Sequence, residues 1–157
     1  MTIDDLKTLM DDFDPASLFP KLESVTEVIS SVLRIAVLIG PVILLVMGLL
    51  YLLVSPREAN YYLGYRCYFG MGSEEAWRFS QRLAGLVWVP LGLVLTIVMA
   101  STGKNFATLA ADEAIWLGVK CVLWEAGLTA LSCLVINCVV AFWFDRQGQR
   151  RRRARRK

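Results

Sequence analysis

Asn60, Gly64, Arg66, Ser73, Glu75, Trp77, Gln81, Arg82 and Gly85 follow one another in a polar, arginine- and aromatic-rich segment, SPREANYYLGYRCYFGMGSEEAWRFSQRLAG, covering residues 55–85. Their chemistry is that of recognition and clamping. Arginine's planar fork of donors suits a backbone carbonyl, a lipid phosphate or an acidic partner. Gly64 permits a sharp turn or a positive φ that swings Arg66 back toward a membrane interface, and Asn60 can cap or cross-link that turn. Arg66 itself reads three ways: a charge that sets topology, a clamp tying the loop to helix ends, or a ligand contact. Ser73 suits an N-cap, with Glu74 and Glu75 in the first turn where acids favour the helix dipole. Glu74, Arg78 and Arg82 then form a charged strip, while Trp77, Gln81 and Ala84 or Gly85 share another face. Trp77 reads as an interfacial belt residue or as a docking residue, and Tyr61, Tyr62, Tyr65, Tyr68 and Phe69 read as belt residues.

Other reactive patterns are thin. The chain has no histidine, which removes the commonest metal ligand and the commonest acid–base group at neutral pH. Cys67, Cys121, Cys133 and Cys138 form no CxxC pair, and three of them fall in or beside an apolar run, so they read as packing groups. Thr102-Gly103-Lys104 echoes a phosphate loop without its earlier glycine or its following hydroxyl residue. With no nucleophile–base pair, metal-ligand set or phosphate loop, the expectation is a protein that is not an enzyme and takes no cofactor or metal.

The elements that must position the 55–85 segment are apolar. Hydrophobic residues make up 56% of the 157 and charged ones only 20%, too apolar a balance for an ordinary soluble domain. Ile35 to Val54 and Leu83 to Ala100 carry no charge, and Val122 to Phe144 is interrupted only by Glu125. A hydrocarbon core of about 30 Å needs roughly 20 apolar residues in a helix, so each run predicts a span. The fold expected is all-α, an integral membrane bundle of three transmembrane helices behind an amphipathic amino-terminal segment. Pro41 with Gly40, and Pro90 with Gly92, suit close packing or a cavity between kinked helices. Lys120 and Glu125 are placed near the outer end of the third span, where snorkelling or mutual pairing lowers the cost of the acid, or where the acid is functional. Asn137, deeper in, suits an interhelical hydrogen bond or a transport ligand.

Charge is distributed unevenly along the chain. Residues 1–31 form an acidic segment with Asp4, Asp5, Asp11, Asp12, Asp14, Glu23 and Glu27 against Lys7 and Lys21. Apolar residues there predict two short amphipathic helices, one before Pro15 and one along the stripe Leu18, Leu22, Val25 and Val28 or Ile29, which Pro20 interrupts near its start. Residues 32–145 hold the three spans, and residues 146–157 form a basic tail. The positive-inside rule places that tail, and the first loop with Arg57, Arg66, Arg78 and Arg82, in the cytoplasm, and the amino terminus outside. The run from Arg150 to Lys157 suits anionic lipid headgroups better than nucleic acid, since it follows a span closely.

The order Asn60-x-x-x-Gly64-x-Arg66, then Ser73-x-Glu75-x-Trp77, then Gln81-Arg82-x-Ala84-Gly85 resembles the SdpI family of bacterial membrane proteins. Cys67 stands where that family usually has Thr, and Gln81 where it often has Asn or His. The resemblance implies a multi-pass protein of the bacterial cell membrane that gives immunity to a secreted peptide toxin and signals to a cytoplasmic partner. Its expected partners are the bilayer, a peptide toxin or another membrane protein, or further copies of the chain. The alternatives are a structural or accessory subunit of a larger membrane complex and, with thinner support from Glu125 and Asn137, a small transporter.

Overall fold

A long apolar stretch in a bilayer offers its backbone no water, so helix is the conformation that satisfies every N–H and C=O within the segment. The computed structural model describes residues 22–54 and 64–151. Helix α1 spans Leu22–Leu53, α2 Glu74–Gly103 and α3 Ala111–Trp143, with single 3-10 turns at Gly70–Gly72 and Lys104–Ala107. Three segments, Val25–Leu53, Glu74–Ala107 and Ala111–Trp143, are long and apolar enough to cross a membrane. The protein is thus an all-α membrane bundle. Leu123, Trp124, Trp116 and Phe142 on α3, like Ile35 and Ile43 on α1, are widely exposed, as side chains facing acyl chains must be.

Each helix is longer than the charge-free run that predicts it. Leu22 to Ser30 belongs to α1 and is not a separate amphipathic helix, so the boundary expected at residue 31 falls inside a continuous element. No proline intervenes between Leu22 and Pro41 to break it. Pro41 and Pro90 both lie inside helices. The first amphipathic piece, Arg57, Asn60, Tyr61, Tyr62 and residues 152–157 of the basic tail lie outside the described residues.

Lipid tails are as apolar as leucine, so helices in a bilayer associate through close packing and hydrogen bonds. The α1–α2 pair uses a seam of glycines for this. A Cβ on Gly92 would come within 2.6 Å of the Leu45 amide nitrogen, one on Gly48 within 2.8 Å of the Val89 nitrogen, and one on Gly85 within 2.9 Å of the Gly48 carbonyl oxygen. Backbone meets backbone over two helical turns. At one end of this pair Arg34 of α1 donates from Nε to the Gly103 carbonyl at 2.7 Å, placing a cation at the negative end of α2. At the opposite end the 64–72 connection and the turn after α3 lie together, because the Ser73 hydroxyl donates to the Gly148 carbonyl at 2.6 Å.

Helix α3 docks more loosely against this pair, through Leu33 beneath Gly118, Glu125 beside Gly40, and Trp88, which donates from Nε1 to Ser132 Oγ at 3.0 Å.

Gly92→Ala and Gly48→Ala should each force the α1–α2 backbones apart and destabilise the fold by about 1–3 kcal/mol. Gly127→Ala on α3 is the matched control, since a Cβ there meets nothing within 4 Å. Thermal stability of the three variants in mild detergent, followed by size-exclusion chromatography, checks this; equal stability in all three would remove the seam from the account.

Candidate functional site

The site is a loop pinned into the mouth of the bundle, and it starts with a backbone requirement. Gly64 has φ +132°, a conformation that side chains with a Cβ rarely adopt. Its Cα rests on the Trp77 indole so closely that a Cβ would lie 2.5 Å from the ring. Trp77 is fully buried. It therefore serves as the floor of the loop, which corrects both the interfacial-belt and the docking expectations: Ser73 caps α2 by accepting from the Ala76 amide at 3.1 Å, and α2 starting there turns Trp77 inward.

One turn further along α2, Gln81 is also fully buried. Its Oε1 accepts from the Tyr65 amide at 2.7 Å, and its Nε2 donates to the Tyr65 carbonyl at 2.8 Å. A single side-chain amide thus satisfies both backbone groups of one residue, doing for Tyr65 what a neighbouring strand would do. Unpaired, those two groups would cost several kcal/mol in buried surroundings.

Held in this way, the Tyr65 side chain enters the bundle. Its ring meets Trp88 edge to face, centroids 5.4 Å apart at 88°, and Tyr51 of α1 lies on the same indole at 5.5 Å. Its hydroxyl donates to the Cys133 carbonyl at 3.1 Å and lies 3.2 Å from Asn137 Oδ1. Burial raises the pKa of that hydroxyl above its usual value, so it stays a donor. Tyr65 is buried and Tyr68 is 72% exposed, so the belt reading fits Tyr68 and fails for Tyr65.

The rest of the connection wraps this core. The Cys67 carbonyl accepts from the amides of Gly70 at 3.1 Å and Met71 at 3.2 Å. The Cys67 thiol is buried against Gly70 and Ser80, and burial raises its pKa. Arg66, between the two inward residues Tyr65 and Cys67, is exposed and lies within electrostatic reach of the Tyr51 hydroxyl. Of the remaining motif residues, Gly85 belongs to the helix seam and Arg82 is exposed. Glu75 pairs with Arg150 at 3.8 Å, and Arg78 pairs with Glu74. Gly64, Ser73, Trp77 and Gln81 are therefore brought together, whereas Glu75 and Arg82 face outward.

The intramembrane polar residues separate. Asn137 meets Tyr65. Glu125 is 7% exposed and sits about four turns from the start of α3 at Ala111, which corrects the expectation that it lies near the outer end. Lys120 is exposed, and five residues along a helix put the two side chains about 140° apart. The expected Lys120–Glu125 pairing is not formed, and the ion pairs among the described residues lie elsewhere.

Sequence reasoning missed three contributors. Trp88 and Ser132 look like generic span residues. The third is the turn after α3: Asp145 Oδ1 accepts from the amides of Gln147 and Gln149 at 3.0 and 2.8 Å, Gly148 takes φ +71°, and Phe144 packs on Phe79 at 5.4 Å. Asp145 three residues before Gly148 is the turn signal that marks it.

Gln81→Leu should strand both backbone groups of Tyr65 and cost about 2–5 kcal/mol, while Tyr65→Phe, which keeps the ring contacts, should cost about 1 kcal/mol. Arg78→Ala, which removes only an exposed pair, should cost under about 0.5 kcal/mol. Thermal unfolding in detergent ranks the three; a Gln81 variant as stable as the Arg78 variant would remove the clamp from the account.

Comparison with known proteins fits this architecture. The model of the SdpI/YfhL protein family matches residues 57–143, which takes in the pinned loop, all of α2 and all of α3. No curated protein and no solved structure matches the chain. With the family match covering more than half of its length, the chain belongs to the SdpI/YfhL protein family.

Proposed function

We propose that this chain is a receptor of the bacterial cell membrane that gives resistance to a secreted peptide toxin and signals to a cytoplasmic partner. The observation that carries this reading is the family match over the loop and the helices it pins, since membership suggests a membrane protein of the immunity type. The geometry supports it in one specific way. Gln81 fixes Tyr65 at both backbone groups, so Arg66, the next residue, presents its guanidinium from a rigid base. Recognition is assigned to Arg66, and Trp77 and Gln81 are assigned to holding it in place. The protein binds and does not catalyse.

In this reading the amino terminus is outside and the pinned loop and basic tail are cytoplasmic, because Arg66, Arg78, Arg82, Arg146, Arg150 and Arg151 gather at one end. The basic run from Arg150 to Lys157 is assigned in this reading to anionic lipid headgroups. The competing reading, an accessory subunit of a larger membrane complex, draws on the broad apolar faces of α3.

Expression in a sensitive bacterium, challenged with peptides encoded near the gene, tests the proposal. Protection against one peptide is expected. Arg66→Ala should abolish it at undiminished protein abundance, and removal of residues 152–157 should preserve it. No protection, together with stoichiometric co-purification of other membrane subunits in mild detergent, would establish the accessory reading instead. Orientation is read separately. A cysteine at Tyr68, in a chain without its native cysteines, should react with a membrane-impermeant thiol reagent only after the cells are opened; labelling in intact cells would reverse the topology.

A further inference from the structure

Between α1 and α3 a groove of about 650 Å³ opens toward the lipid, floored by Trp88 and Leu95 of α2. Its walls are apolar: Leu44 and Met47 of α1 on one side, and Val122 with the small residues Ala126 and Ala130 of α3 on the other. Tyr51, Thr129 and Cys133 add polar atoms to the lining, and Glu125 adds its carboxyl group. It lines this groove at mid-helix, 93% buried by its 7% exposure, and its Oε1 has no hydrogen-bond partner. The other carboxyl oxygen rests against Gly40, where a Cβ would come within 2.7 Å of it. Pro41, next in the chain and also lining the groove, has no N–H to give to the Val37 carbonyl one turn earlier.

A buried carboxyl oxygen thus lacks a donor in a largely apolar groove, and Lys120 is turned away. An acid at this depth is costly unless something pairs with it. The complementary group is a cation carrying several N–H donors, attached to an apolar body that fits between Leu44 and Ala130. We propose that the groove is a binding site for an amphiphilic amine, entered from within the bilayer, with Glu125 holding the protonated amine and the apolar walls holding the chain. The assignment stands apart from the toxin reading, since Arg66 and the pinned loop take no part in it.

The test uses the full chain in phosphatidylcholine nanodiscs and two probes of matched length, bromodecylamine and bromodecanol, whose bromine quenches tryptophan. Trp88 in the groove floor is the reporter, read as the part of the quenching that a Trp88→Phe chain loses, since Trp116 and Trp124 face the lipid. Saturable quenching by the amine, about tenfold tighter than by the alcohol, is expected from a charge-assisted hydrogen bond. Glu125→Gln should bring the amine down to the level of the alcohol. Gly40→Ala, which pushes the carboxyl group aside, should weaken the amine and leave the alcohol unchanged, and so provides a second variant should Glu125→Gln fail to fold. Equal quenching by both probes on the unaltered chain would mean that lipid alone fills the groove, and would overturn the proposal. So would dimerisation of the chain in the nanodisc that blocks the amine, because the groove would then belong to a second copy.

Discussion

Two hydrogen bonds between the Gln81 side chain and the backbone of Tyr65 are the constraint from which the rest of the site follows. A loop that dips into a membrane bundle faces the same demand as any backbone in hydrocarbon: its N–H and C=O groups must find partners without water. Most loops answer by staying outside. This one answers with a glutamine one turn beyond Trp77, and the solution dictates its surroundings. Only glycine at position 64 clears the indole and takes the positive φ, and only a buried Trp77 fills the space beneath it. Gln81 stands where the family often has Asn or His. Its longer arm carries one acceptor and one donor in a single plane, matched to the two groups of one residue.

The bundle is joined in two different ways. Helices α1 and α2 meet through glycines with almost nothing between the backbones, a contact that depends on shape and tolerates no added atom. Helix α3 is attached by directional polar contacts: Trp88 to Ser132, and Tyr65 to the Cys133 carbonyl beside Asn137. Both sets of partners come from the connection and α2, and they gather toward one half of α3. Toward its other half α3 leans on Leu33 and on the glycine beside Glu125, and there the wall between α1 and α3 opens.

Much of this was legible in the sequence. The charge-free runs locate three helices, Ser73 marks the start of α2, and the ordered motif of the loop names the family. The burial of particular aromatic residues was not legible. Tyr65 and Tyr68 have the same side chain three positions apart, and which one turns inward depends on the Gly64 turn and on a glutamine sixteen residues away. Trp77 likewise has the composition of an interface residue; its burial is a tertiary fact imposed by Gly64. Helix α3 starts at Ala111, well before the apolar run from Val122 that predicts it, because Asp112 and Glu113 in its first turn stabilise a helix that extends past the hydrocarbon. Counted from that start, Glu125 lies about four turns along the helix.

The hydroxyl of Ser73 and the carbonyl of Gly148 are separated by 75 positions of chain, and this spacing fixes an order of assembly during synthesis. Gly64, Tyr65, Trp77 and Gln81 all leave the ribosome before α3 does, so the loop can lock onto α2 while the chain is still a hairpin. The bonds to Ser132, Cys133 and Asn137 wait for the third helix to enter the bilayer. The Ser73–Gly148 bond waits longer still, until the turn after α3 has been made. Translation therefore closes this protein like a clasp, with the turn after α3 fastening the residue that ends the connection between α1 and α2.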